Sequence, residues 1–286
     1  MNARNDGFTL IELIVVMVVT GALAAGLVIF LRPAIGSYVA VVNRAELTDL
    51  ADTAMRTMLR DIRLAVPNSF RAPNTSCFET IPTSTGGRYR SDADTTSTQS
   101  APVDTSAATT SFDVISPLTT VPSAGDWIVV ANQNTNDVYA GVNRAAIASV
   151  TAPPAATPAL GQHRITLATA MQFPIGYDSS RFVVVPNSQQ AVFYSCSNLG
   201  VDAKGNGTGV LYRFSQYGFN AATPVACPAA NAATPVVATG LSQCTFTLNP
   251  NPGAIQGAGY VELKLRLTVN NESVDLVFGA HTDNLP

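Results

Sequence analysis

The chain has 286 residues, a formal net charge of −3, 47% apolar residues and 12% charged ones, enough for a sizeable folded domain with an apolar segment beside it. So small a charge imbalance excludes the broad basic footprint that holds nucleic acid, and no nucleic-acid partner is expected. With two histidines in the whole sequence, a histidine-based metal centre or nucleophile triad has little to draw on.

The chain opens on MNARNDG, short and polar, and from Phe8 to Leu31 its sole ionisable residue is Glu12. A helix of about 23 residues rising 1.5 Å each spans roughly 35 Å, enough for a hydrocarbon core of about 30 Å. Arg4 and the amino terminus outweigh Asp6, a mild positive-inside signal that keeps the start cytoplasmic and sends everything after Arg32 outside. A cleaved secretory signal is one plainer reading, with Ala22-x-Ala24 as its cutting site. Against it, Glu12 interrupts the most apolar stretch, LVIFL continues past the cut, and the leader is scarcely basic. A simple anchor explains the length and leaves the carboxylate unexplained. A charge near the middle of a membrane helix costs on the order of 3 kcal/mol, so Glu12 calls for a partner.

Pro33 and Gly36 predict a break or kink just beyond this segment. Helical periodicity resumes, with Asn43 as a cap and Leu47, Leu50, Ala51, Ala54, Met55, Met58, Ile62 and Ala65 forming one apolar stripe that faces a core. Pro67-Asn68-Ser69 marks its end, and the methionines read as packing against a sheet. Residues 71–112, rich in Ser, Thr, Gly and Asp, lack periodicity and are expected to be a long polar loop. Strand-like runs follow at 126–132, 163–171, 180–186, 190–196, 209–215, 242–249, 260–269 and 273–282. Val261, Leu263, Leu265 and Leu267 alternate with Glu262, Lys264 and Arg266, so one face is wet. A helix followed by antiparallel strands implies an α+β domain, its sheet wrapped on the helix.

Cys77, Cys196, Cys227 and Cys244 all lie beyond the apolar segment, which in an exported headpiece implies two disulfides. Three pairings are open; Cys77 with Cys244 and Cys196 with Cys227 is favoured, giving one long staple and one short closed loop. Other constellations have bland explanations. His163 and His281 stand without ligands or bases at motif spacing, VDAKGNGTG at 201–209 reads as a hairpin loop, and SDADTT and NQNTND read as polar turns rather than calcium loops. Arg88 and Arg90 flank Tyr89 in GGRYR, an arrangement able to grip phosphate, but a loop tied to Asp92 or Asp94 accounts for it more simply. No catalytic residue, cofactor or metal is expected.

GFTLIELIVVMVV, Gly7 to Val19, resembles the class III signal of type IV pilins and pseudopilins. The resemblance implies that a prepilin peptidase cuts between Gly7 and Phe8 and methylates the new amine of Phe8, leaving Glu12 as the fifth mature residue. Cleavage would set an ammonium one helical turn from Glu12. Unlike charges about 4 Å apart attract by roughly 4 kcal/mol at an effective dielectric near 20, so in a staggered stack Glu12 of one subunit meets the Phe8 amine of the next. RAELTDLADTAMRTMLRDIRLAVPNSFR, GGRYR, GDWIVVANQN, LYRFSQYGF and the ending HTDNLP are similar to minor pilins of mannose-sensitive haemagglutinin (MSHA) pili. That implies a low-copy, non-enzymatic subunit that primes assembly or sits at the tip. Its expected partners are the lipid bilayer, an inner-membrane assembly platform and other minor and major pilins. It implies this layout: leader 1–7, transmembrane and assembly helix 8–31, outer helix 32–70, and a periplasmic headpiece 71–286 with its polar loop at 71–112. Two alternatives share the plan, a larger minor pseudopilin of type II secretion and a tip adhesin or DNA-binding headpiece.

Overall fold

The computed structural model describes residues 9–156, 159–175, 180–249 and 259–282. One helix, α1 (Leu10–Arg63), begins the fold and runs unbroken for 54 residues, about 80 Å, with Pro33 inside it. The break expected at Pro33 does not occur, and Asn43 lies within the helix rather than capping a second one. Energetics explain the continuity. A proline forfeits one backbone hydrogen bond at a cost of about 3 kcal/mol, whereas ending one helix and starting another orphans four carbonyls and four N–H groups.

The two halves of α1 meet different surroundings. Every residue from Thr9 to Val39 is exposed, while Leu47, Ala51, Ala54, Met55, Met58, Leu59 and Ile62, spaced by threes and fours, are buried. That stripe packs on the last three strands of a seven-stranded antiparallel sheet. In spatial order the sheet is β1 (Arg71–Asn74), β2 (Cys77–Thr80), β9 (Val192–Ser197), β10 (Gly209–Phe214), β11 (Val236–Asn249), β12 (Gly259–Val269) and β13 (Glu272–Thr282). Val261, Leu263, Leu265 and Leu267 are completely buried beneath the helix stripe, as their alternation predicts. Phe78 stacks between Phe70 and Tyr194 at 5.0 Å and meets Phe246 edge-on at 4.9 Å, closing this core.

A second, six-stranded antiparallel sheet runs β3 (Thr85–Arg88), β8 (Arg181–Val185), β5 (Trp127–Val130), β6 (Arg144–Thr151), β7 (His163–Met171) and β4 (Thr109–Val114). Its core gathers Phe112, Ile128, Val130, Ile165, Phe182 and Val184. A short helix, α2 (Asp137–Ala140), joins β5 to β6 and contributes Val138 and Tyr139 to a third cluster with Val66, Ile81, Val129, Val185 and Ala191, which binds the two sheets together.

Two expectations need correction. Residues 71–112 are not one loop, because four strands, β1 to β4, begin or lie within them. The longest irregular stretch among them is 89–108, and it is anchored: Val103 is buried over the six-stranded sheet and donates to the Arg90 carbonyl, and Ala101 donates to Asp113. RAPN and TGGR carry no alternating apolar signal, so their pairing is imposed by β2 and β8 rather than by their own propensity. The four cysteines do form two disulfides, but with exchanged partners, Cys77 to Cys227 and Cys196 to Cys244. Sheet order decides this. Cys77 on β2 faces the excursion between β10 and β11 that carries Cys227, and β9 and β11 bring Cys196 and Cys244 to a Cα separation of 6.4 Å.

Candidate functional site

The feature that the fold leaves unexplained is the start of α1. Thr9 caps it: its carbonyl accepts from Glu12 N–H at 3.1 Å and Leu13 N–H at 3.2 Å, and its hydroxyl from Glu12 N–H at 3.4 Å. Thr9-x-x-Glu12 has capping-box spacing, a helix-start signal that reading the segment for apolarity alone passed over. A carboxylate in the first turn is also favoured by the helix dipole.

Between Leu10 and Leu31 the polar side chains are Glu12 and Thr20. Thr20 satisfies itself by donating its hydroxyl to the Val16 carbonyl at 2.7 Å. Glu12 is exposed, and its carboxylate has no ionic or hydrogen-bonding partner among the described residues. Gly7 and Phe8, the expected cleavage pair, lie outside the described residues. Gly21 and Gly26 lie in the same half of the helix, with nothing within 4 Å of where a Cβ would stand. Each glycine costs the helix about 1 kcal/mol relative to alanine, and no contact among the described residues offsets that. The segment is long and apolar enough to cross a membrane, and it is the one such helix among the described residues.

The headpiece holds several charged clusters, and each serves the fold. Asp61 accepts from the Tyr194 hydroxyl at 2.7 Å and from Arg213 at 3.0 Å, pinning α1 to β9 and β10. Arg71, almost fully buried, donates to Glu79 at 2.6 Å, Asn136 at 3.2 Å and the Asn220 carbonyl at 2.6 Å, and lies 3.5 Å from the Tyr139 ring centre. The Tyr217 hydroxyl completes that group by donating to Glu79 at 2.6 Å. Asp113 is gripped by Arg164 at 2.8 Å, with Arg90 at 3.9 Å. Burial pushes the phenols of Tyr139, Tyr194 and Tyr217 well above the ordinary tyrosine range, the negative charge of Glu79 or Asp61 adding to it.

In GGRYR, Tyr89 is buried and Arg90 lies 3.5 Å from Asp94, the second of the two carboxylates expected to tie it. Arg88 ends β3 opposite Arg181 on β8, at the mouth of a cleft of about 350 Å³ walled by Val66, Val129 and Phe182. His163 opens β7, and His281 lies beside Tyr260 on β13. Asp202 holds the 201–209 hairpin loop through the N–H groups of Lys204 and Asn206. This is scaffolding chemistry, and among the described residues the one charged group left unanswered in an apolar setting is Glu12.

Comparison with family models matches residues 2–28 to the model described as the prokaryotic N-terminal methylation motif. Comparisons with curated proteins and with solved structures give no match.

Proposed function

We propose that this chain, whose methylation motif supports a type IV pilin or pseudopilin subunit of structural, non-enzymatic kind, is a minor pilin of the MSHA type, similar to MshO. Prepilin peptidase removes residues 1–7 and methylates the Phe8 amine. The mature chain waits in the inner membrane, crossed once by its apolar helix, with the headpiece in the periplasm. It then passes, through the assembly platform, into the filament beside other minor and major pilins, priming growth or standing near the tip.

The observation that carries this reading is a lone carboxylate, Glu12, without a partner among the described residues, one turn into a helix exposed from Thr9 to Val39. Outside a bilayer such a surface must be covered, and the apolar helices of neighbouring subunits cover it without cost in polar contacts. Within that bundle Glu12 is desolvated and is stable only opposite a cation. The methylated amine of the next subunit supplies one, so the ion pair fixes the axial stagger.

Glu12→Ala is expected to be processed normally and to remain in the membrane, with filament incorporation reduced about tenfold or more, read by immunoblotting sheared filaments against whole cells. Mass spectrometry of the membrane-extracted chain should report a methylated phenylalanine at its amino terminus. An intact leader, or processing after Ala24, overturns the reading. The larger minor pseudopilins share the motif, and co-purification with secretion rather than pilus subunits would reassign the system while leaving the helix mechanism in place.

A further inference from the structure

The two sheets end in four edge strands, and three are blunted. β1 has four residues, contains Pro73 and pairs irregularly; β3 has four residues, two of them glycine; β4 carries a register shift between Thr109 and Ser111. β13 has none of these devices. It runs for 11 residues without proline or lysine and pairs with β12 along its whole length without a shift. Long, regular edges are what natural sheets avoid unless something pairs with them, and the two carboxylates of β13, Glu272 and Asp275, are both held in ion pairs within the chain.

The open hydrogen-bonding positions on β13 follow from its hairpin. Asn270 and Asn271 both have positive φ, 49° and 64°, the signature of a two-residue type I′ turn. Val269 and Glu272 therefore close the ladder as a bonded pair, and bonding alternates from there. Ser273, Asp275, Val277, Gly279 and His281 direct their N–H and C=O groups away from β12. No backbone hydrogen bond reaches those groups from another segment among the described residues.

Beside this edge lies a groove of about 490 Å³ between α1 and β13. Leu59, Leu64 and Phe278 give it an apolar floor, and Arg56, Arg60 and Arg63, four and three residues apart, line one flank. Arg56 pairs with Asp52 at 2.6 Å, whereas Arg60 and Arg63 have no ion pair among the described residues. Open main-chain groups, an apolar groove alongside them and a cationic rim together match strand addition by an acidic partner.

We propose that the β13 edge takes a strand from another protein subunit, an extended segment with apolar residues at alternate positions and carboxylates that meet Arg60 and Arg63. A second copy of this chain fits poorly, because the carboxylates of its own β13 are spent: Glu272 pairs with Arg44 and Asp275 with Arg266, each at 2.6 Å. This contact is made by the headpiece and does not depend on how the N-terminal helix assembles.

The test uses the full-length chain in detergent and a fluorescent nine-residue peptide that alternates valine with threonine and ends in two aspartates. Saturable binding is expected, read by anisotropy, together with slowed amide exchange at Ser273, Asp275, Val277, Gly279 and His281 and at no other sheet edge. Val277→Pro removes one outward N–H without touching the ladder and should weaken binding about tenfold or more, whereas Val277→Thr should stay within about twofold of the parent. Arg60→Glu with Arg63→Glu should reverse the preference towards a peptide ending in two lysines. Absence of saturable binding, exchange unchanged on β13, or equal binding by a folded Val277→Pro chain would overturn the proposal. So would self-association without peptide that Val277→Pro abolishes, which would make a second copy the occupant. Incorporation of Glu12→Ala into filaments is a separate measurement, so either proposal can fail alone.

Discussion

Two carboxylates on α1 show how one residue type takes opposite roles in one helix. Asp61, in its last turn, is nearly buried and answered by Tyr194 and Arg213, the latter also reaching Gln189 at 2.7 Å. Glu12, in the first turn, has no such answer among the described residues. Asp61→Ala would leave a guanidinium and a phenol half-enclosed without their acceptor, and loss of one partner from a buried ion pair costs on the order of 3 kcal/mol. A clearly lowered melting temperature is therefore expected, with Asp61→Asn, which keeps one acceptor oxygen, falling between. An unchanged melting temperature for Asp61→Ala would show that the outer helix is held by apolar packing alone. The role of Glu12 was legible from its apolar surroundings in the sequence, whereas that of Asp61 was not. Asp61 stands among the polar residues of the helical wheel, and only the sheet behind it turns it inward.

At the scale of elements, the disulfides act where the sheet has least local support. Cys77–Cys227 closes a separation of 150 residues and ties a strand-poor excursion to β2; Cys196–Cys244 closes 48 and links strands on either side of β10. Chain-entropy arguments give about 5 and about 4 kcal/mol for loops of those lengths, before any relaxation of the reduced chain. Cys77→Ser with Cys227→Ser should thus lower the melting temperature and open residues 215–235 to proteolysis while β12 and β13 keep their slow amide exchange. Elements with a repeating pattern were readable in advance, and the alternation in β12 is the clearest case. β1 and β3 were not, because a short polar or glycine-bearing strand becomes a strand only when a neighbour offers its edge, and the unanticipated β6, RAAIASVT, is rich in alanine, which favours strands poorly. Pro33 misled for a related reason: a local penalty was weighed without the cooperativity of the helix on either side.

For the whole molecule, Arg71 is the hub, reaching from β1 to Glu79 on β2, to Asn136 at the start of α2 and to Asn220 after β10. The charge pattern around the headpiece also sets its response to pH. Hydrogen bonds from Thr96 hold Asp94 below the usual carboxylate range, the Asn206 N–H does so for Asp202, and Arg266 for Asp275. A group depressed in this way contributes its stability fully above the unfolded value near 4 and loses it as the pH falls below. The buried phenols of Tyr139, Tyr194 and Tyr217 have the opposite sign: raised in the fold, they favour it fully below about 10 and lose that contribution as the pH rises further. A melting-temperature plateau between about pH 5 and 9 is expected, with declines on both sides, and with the phenolate absorbance of these three rings rising together with unfolding rather than before it. Titration of all the tyrosines in a still-folded chain would contradict their burial.

The sequence by itself determined what depends on near neighbours: an apolar helix with one carboxylate at a fixed offset, the amphipathic stripe continuing beyond it, and the long alternating strands at the C-terminal end. Helix and strand periodicities are local, so a single chain reads them out directly. Which cysteines join, that the strands form two sheets with the helix packed on the seven-stranded one, which polar segments become strands, and that β13 is left with an open edge were settled by the tertiary structure alone. Those outcomes depend on residues far apart along the chain meeting in space, and spacing in the sequence carries no record of that meeting.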